Sequence, residues 1–293
     1  MEEHPAEFGT LLNALAGAWH GLPDKPGETP DETLRSLWRF VAGSADSTGL
    51  PALRDQEWAR LRELVDRRMA GEPLSYLIGR AEFMGIDFLS APDAMIPRVE
   101  TEILGRAALQ LLMEMAETRD RVIVIDLCTG SGNVGLALAV GEPKCQLFGG
   151  DISEDAIRLA GRNAARLGLE GRTTFLAGDF LEPFRNEQLL GAVGLITCNP
   201  PYISTASVKH LPVEISGFEP CEAFDGGPFG LTLLMRLVKE AHAFLHPGGW
   251  VACETGLGQG EVVEKMFKKS NSYQDVKTFR DHQGAIRTVA AQA

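Results

Sequence analysis

The 293-residue sequence lacks the features that would direct it to a membrane, a secretory route or a phosphate backbone. No apolar run approaches the ~18 residues of a membrane-spanning helix, so no membrane association is expected. The first residues, Met1-Glu2-Glu3-His4, are acidic where a secretory signal is basic. The five cysteines (Cys128, Cys145, Cys198, Cys221 and Cys253) are widely spaced and include no C-x-x-C pair. That removes support from zinc-ribbon and disulfide-framework readings and makes a reducing, cytoplasmic setting the expectation. Lys and Arg number 28 against 40 Asp and Glu, for a formal charge of -12. Such a balance argues against a broad grip on nucleic acid and leaves open only a local basic groove. What is present is ordinary for a globular protein: 44% hydrophobic and 23% charged residues, in a length that holds one large domain or a large and a small one. A monomer is the expectation.

The first part of the chain reads as helical. Thr29-Pro30-Asp31-Glu32 is a capping box with proline at the first helical position. Leu34, Leu37, Trp38 and Val41 follow at helical spacing, and Gly43 is a stop. Trp58, Leu61, Val65 and Met69 form a second stripe that ends before Gly71-Glu72-Pro73. Phe8, Leu11, Leu12, Leu15 and Trp19 suggest an earlier helix, followed by a Pro- and Gly-rich stretch from Gly21 to Pro30. None of these residues carries catalytic chemistry, so the segment is either a docking face or plain packing. Tyr76-Leu77-Ile78 and Ile86-Asp87-Phe88-Leu89 then lead to Pro97-Arg98 and read as a β-hairpin linker. The division expected is 1–73 helical, 74–100 linker and 101–293 a larger α/β domain.

In the last part helices and strands alternate. A helix over 101–116 precedes the β-branched run Arg121 to Leu127, which has the character of a buried parallel strand. Gly130-Ser131-Gly132-Asn133-Val134-Gly135 fits G-x-G-x-x-G, a turn that lets a ligand approach the backbone at a helix N-terminus. Nicotinamide and S-adenosylmethionine domains share that pattern. The acid at the turn, in Asp126-x-x-Thr129-Gly130-Ser131-Gly132, would repel a pyrophosphate but would pair with the cationic amino-acid end of S-adenosylmethionine. Asp151 closes the next strand, where it can accept from both hydroxyls of a ribose, with Ile152 beside it. Asp179 closes the third and can take an adenine amino group while Phe180 packs on the ring. S-adenosylmethionine is the expected cofactor, met by these residues and by Asn199.

The chemistry is concentrated in Asn199-Pro200-Pro201-Tyr202, which follows the apolar strand Leu195-Ile196-Thr197-Cys198. The prolines lack N–H donors and stop the strand. Asn199 and the Pro200 carbonyl offer two acceptors to the two hydrogens of a planar –NH2, and Tyr202 offers a face for its π-system. The expected substrate group is a conjugated amine: a side-chain amide, or the exocyclic amine of adenine or cytosine. Asn199, Pro200 and Tyr202 are the candidate catalytic residues, with Pro201 also expected at the substrate. The plain alternative is a turn that merely ends a buried strand.

With these motifs the chain resembles the protein glutamine-N5 methyltransferases that modify peptide chain release factors. The resemblance spans about residues 30–265. It includes Gly71-Glu72-Pro73-Leu74-Ser75-Tyr76, Ile96-Pro97-Arg98-x-Glu100-Thr101-Glu102, Asp126 to Gly132 and Asn199 to Ile203. Phe218-Glu219-Pro220, Asp225-Gly226-Gly227 and Pro247-Gly248-Gly249-Trp250 continue it. It implies a seven-stranded class I, Rossmann-like methyltransferase domain behind a helical domain that helps dock a protein, and methylation of a Gly-Gly-Gln loop. Several positions depart from the family: Cys128 for the commoner Gly, Val99 for Pro, Phe229 for an acid, and the run Cys253-Glu254-Thr255-Gly256. Cys128 is closer to sister enzymes that methylate a ribosomal-protein glutamine, so that substrate or a specialised one stays open. Amino-methylation of nucleic acid and a non-catalytic cofactor-binding protein are the other readings, opposed respectively by the acidic charge and by the intact Asn199 and Tyr202.

Three tempting features are read as structural. His242 and His246 are four apart, but no Glu follows the first in zinc-protease fashion, and no metal is expected. Lys268-Lys269 fits a solvated helix face. Cys128 and Cys198 have no basic neighbour in sequence and read as packing residues.

Overall fold

The computed structural model describes residues 5–19, 28–44 and 49–293. The acidic residues 1–4 and the Pro- and Gly-rich residues 21–27 lie outside them. Two compact units divide the chain, one of residues 1–80 with 212–218 and one of 81–211 with 219–293.

The first unit is built from α1 (Pro5–Gly17), α2 (Pro30–Val41), α3 (Asp55–Met69) and the single turn α4 (Leu74–Ile78). Thr29 caps α2 as its sequence predicts, its hydroxyl accepting from the Glu32 N–H at 3.2 Å. The stripes of α2 and α3 bury Leu34, Leu37, Trp38, Trp58, Leu61 and Val65 in one core. Trp38 and Trp58 meet edge to face at 4.9 Å, and the Trp38 indole N–H donates to the Pro51 carbonyl at 2.8 Å. Arg68 is buried and compensated by Glu28 at 2.8 Å and Glu214 at 3.0 Å. Segment 212–218 therefore belongs with these helices although it follows the Asn-Pro-Pro-Tyr motif in sequence. Tyr76-Leu77-Ile78, expected in a hairpin, is helical instead, bracketed by Pro73 and by Gly79 at φ 72. A three-residue apolar run carries no period that separates strand from helix.

The hairpin is formed by β1 (Arg80–Phe83) and β2 (Ile86–Leu89). It turns through Met84 and Gly85, both at positive φ, the geometry of a two-residue hairpin turn. The Met84 N–H is held by Glu102 at 2.9 Å.

The second unit carries α5 (Thr101–Ala116), β3 (Val122–Leu127), α6 (Asn133–Gly141), β4 (Cys145–Asp151), α7 (Glu154–Arg166), β5 (Thr173–Ala177), β6 (Val193–Cys198), β7 (Leu245–Glu254), β8 (Asp275–Arg280) and β9 (Ile286–Gln292). The sheet order is β5-β4-β3-β6-β7-β9-β8. All pairs are parallel except those made by β9. The sheet is sandwiched between two cores. One centres on Leu104, Leu112, Val124 and Leu136, the other on Ile125, Ile196, Leu237 and Phe267. Burial on both faces explains why β3 and β6 read as unbroken apolar runs. Leu127 pairs with both Gly150 and Cys198, so the carboxyl ends of β3, β4 and β6 are level where the strand order reverses. Ligands of open α/β sheets bind at such a switch point. Among the described residues no helix is long and apolar enough to cross a membrane. His242 and His246, four apart in sequence, fall on a 3-10 turn and on β7.

Candidate active site

A cavity of about 610 Å³ opens at the carboxyl ends of β3, β4 and β6. Of the residues singled out from sequence, Asp126, Thr129, Gly130, Asp151, Ile152, Asp179, Phe180, Asn199 and Pro201 line it; Gly132, Pro200 and Tyr202 do not.

On one side, carboxylates organise backbone. Asp126 is fully buried and accepts from Thr129 Oγ1 at 2.6 Å, Thr197 Oγ1 at 2.6 Å and the Gly135 N–H at 3.1 Å. Burial pushes its carboxyl up to about 6, against the pull of those three donors. Asp151 accepts from the Gly130 N–H at 2.9 Å and the Ser153 N–H at 3.0 Å, and burial raises its pKa as well. The turn between β3 and α6 is left-handed at Cys128, Gly130 and Gly132. A Cβ on Gly132 would lie 2.8 Å from the Leu136 side chain and 3.2 Å from Ala160, so this glycine serves helix packing. Cys128 at φ 55 occupies a conformation that costs a non-glycine residue ~1 kcal/mol, which accounts for glycine being usual there.

Two acids carry duties that their sequence positions do not show. Asp126, read as the partner of a cationic ligand, is already the hub of the glycine turn. Asp179, read as an adenine acceptor, receives Arg236 Nη1 at 2.8 Å, and the same guanidinium sits 5.0 Å over the Phe180 ring. Arg236, 57 residues downstream, has no sequence signal that ties it to Asp179.

On the other side, Asn199-Pro200-Pro201-Tyr202 leaves β6 as an irregular loop held from afar. Asn199 Nδ2 donates to Thr101 Oγ1 at 3.4 Å. The Tyr202 hydroxyl donates to Glu254 Oε1 at 2.9 Å, and its carbonyl accepts from Gln259 Nε2 at 3.0 Å. Tyr202 was read for its ring face alone; the structure engages its hydroxyl, whose pKa burial drives up. Gly226 and Gly230 approach so closely that a Cβ on either would strike the Pro201 or Tyr202 carbonyl oxygen. The motifs at 96–98 and 218–220 also meet, Glu219 accepting from the Ile96 N–H at 3.0 Å and from Arg98 Nη2 at 2.5 Å. Glu254, Gln259 and Thr101 are the residues that the sequence reading missed as neighbours of the motif.

Residues 118–291 match a family model described as a methyltransferase domain, and residues 22–79 match one described as a PrmC N-terminal domain. The sheet unit is thus a methyltransferase domain. Over 298 aligned residues the chain is 39% identical to the release factor glutamine methyltransferase of Geobacter sulfurreducens, covering 100% of this chain and 99% of that one. It is 38% identical over 241 residues to that of Moorella thermoacetica, covering 82% and 81%. The chain belongs to the release factor glutamine methyltransferase family. Its fold is similar to that of the hMettl16 catalytic domain, solved with a 3′UTR hairpin, at TM-score 0.54 and 12% identity over 99% of this chain and 93% of that one.

Proposed function

We infer that this enzyme uses S-adenosylmethionine to methylate the side-chain amide nitrogen of a glutamine, in the Gly-Gly-Gln loop of a peptide chain release factor. The observation that carries the reading is the Asn199 side chain at the wall of the cavity, between the acidic strand ends and the Pro-Pro-Tyr loop. Full-length similarity to named release factor glutamine methyltransferases supports the substrate.

The residues present fit the cofactor. The buried carboxylate of Asp126 and the half-buried one of Asp151 suit a cationic end and a ribose, while Ile152 and Phe180 give apolar surface for a base. Gly130 sits at φ 54 with only Ala94 within 4.0 Å of where a Cβ would stand, so its backbone is open to a ligand. S-adenosylmethionine supplies an electrophilic methyl group on a sulfonium.

The protein's task is to present a poor nucleophile, since an amide lone pair is delocalised into its carbonyl. Asn199 Oδ1 and the Pro200 carbonyl would accept the two N–H bonds and orient the nitrogen for transfer. As positive charge develops on nitrogen, the same two oxygens stabilise it. They also mark where the departing proton is first held. Tyr202 packs against the amide plane. No strong base is required beside the nitrogen.

The parts of the chain divide the work, with residues 1–73 docking the release factor, 74–100 connecting, and 101–293 transferring the group; the enzyme acts as a monomer. Incubation with labelled S-adenosylmethionine and release factor, followed by peptide mass mapping, should place one methyl on the glutamine of the Gly-Gly-Gln loop. Label on another residue, or on nucleic acid instead, would overturn the reading.

A further inference from the structure

We propose that Arg236 is a positioning residue that sets which purine base the cofactor pocket accepts, by fixing Asp179 and Phe180 at the cavity wall. The proposal rests on the reading of Asp179 as the acceptor of the adenine amino group.

Asp179 and Phe180 line the cavity together with Ile152. The Asp179 side chain is 61% exposed, so water competes for its oxygens and its outer torsion has no steep preference of its own. Phe180 is a non-glycine residue at φ 55, a left-handed backbone that persists only where its surroundings impose it. Arg236 meets both residues. Its Nη1 donates to Asp179 Oδ1 at 2.8 Å, and its guanidinium carbon lies 5.0 Å from the centre of the Phe180 ring. One planar, always charged group thus ties the acid to the aromatic ring. Arg236 stands on the helix Thr232–Glu240, three residues after Leu233, which itself lines the cavity, so the two share a helix face.

The guanidinium is held in its turn. Its Nε donates to Glu240 Oε1 at 3.3 Å, Glu240 Oε2 accepts from Arg185 Nη2 at 3.0 Å, and Arg185 Nε donates to Glu182 Oε1 at 2.8 Å. The charges alternate from Asp179 through the helix and back to Glu182, closing a loop around the segment that carries Phe180. A single exposed pair adds little to stability, so what this network supplies is geometry. With Oδ1 engaged by Arg236, Asp179 presents Oδ2 to the cavity. A carboxylate only accepts, so a fixed Oδ2 favours the amino group at position 6 of adenine and repels the carbonyl oxygen that hypoxanthine carries there. A carboxylate free to turn toward water loses that contrast.

Calorimetry of the full chain with S-adenosylhomocysteine and with S-inosylhomocysteine, whose bases are adenine and hypoxanthine, reads the contrast with no release factor present. Arg236→Ala, Arg236→Met and Asp179→Ala are compared with the parent, and thermal midpoints report on the fold of each. Methionine keeps an apolar stem over Phe180 without the charge or the donors. The parent should favour the adenine ligand by ~10–10²-fold, the scale of a hydrogen bond to a charged group, and all three variants should lose most of that ratio. The loss should fall on the adenine ligand, with the affinity for its hypoxanthine counterpart little changed. If Asp179→Ala loses the ratio while either Arg236 variant keeps it, Asp179 reads the base unaided and the proposal alone is overturned. Equal losses for both ligands in the Arg236 variants, with the ratio intact, reduce Arg236 to a structural role and overturn it too. A parent that binds neither ligand, binds both alike or keeps its ratio in Asp179→Ala overturns the Asp179 reading together with the proposal.

Discussion

The two walls of the cavity are held by opposite means. On the cofactor side, Asp126 and Asp151 collect N–H donors from Gly135, Gly130 and Ser153, all within about two dozen residues of them. On the amide side, Asn199 and Tyr202 are held by Thr101, Glu254 and Gln259, between 52 and 98 residues away. The backbone of the first wall folds locally around its own acids, with Thr197 on Asp126 and Arg236 on Asp179 as its long-range partners. The second exists only when three distant elements have come together. A wall made locally tolerates repacking elsewhere in the sheet, whereas a wall assembled from distant side chains transmits the loss of any one of them to the motif.

The largest effect should follow from emptying the amide wall. Asn199→Ala should cut single-turnover methylation by ~10²-fold or more, while cofactor affinity measured by calorimetry changes little. Equal losses in both would erase the distinction between the walls. Asp151→Ala attacks the other side. It should weaken cofactor binding by ~1.5–3 kcal/mol, the scale of hydrogen bonds to a charged group, and excess cofactor should restore much of the rate. A smaller effect is expected from Tyr202→Phe, which keeps the ring but deprives the buried Glu254 of a donor. Stability should fall by ~1–3 kcal/mol, read as a lower thermal midpoint, with less loss of rate than Asn199→Ala. An unchanged midpoint would show that the hydroxyl does not anchor the wall.

The same contrast governs what the sequence reveals. Local devices are legible: the Thr29 cap, the helix at 101–116, the β-branched β3 and the glycine turn each declare themselves within a few residues. The β6 strand and its Pro-Pro stop are equally local. Contacts across the fold are not. Nothing near Tyr202 points to Glu254, nothing near Asp179 points to Arg236, and segment 212–218 gives no sign that Glu214 neutralises Arg68. Helical and extended readings of Tyr76-Leu77-Ile78 differ by less than tertiary packing supplies, so the structure decides them. The family resemblance bridges part of that gap by naming motifs, and the hydrogen bonds then show why several of them occur together, as Glu219 with Ile96 and Arg98.

The finest test of the local wall is its pH dependence, because Asp126 gives two measurements opposite signs. Burial raises its carboxyl from 3.8 to about 6, so the folded protein binds this proton more tightly than the unfolded chain does. Asp126 therefore costs folding stability when ionised, on the order of 3 kcal/mol above pH ~6, and that cost is relieved as pH falls toward about 4. Cofactor binding runs the other way, since only the ionised acid attracts the cationic end of S-adenosylmethionine and accepts from Thr129 and Thr197 together. Affinity should fall several-fold between pH ~7 and ~5, while Asp126's own contribution to stability rises. Asp126→Asn, which does not titrate, should flatten the affinity profile and subtract the Asp126 part from the stability profile. Calorimetry and thermal melts on parent and variant over that range decide it. Parallel affinity profiles for the two proteins would mean that Asp126 is a hub of the turn alone, and the cationic end of the cofactor would have to be held by other groups.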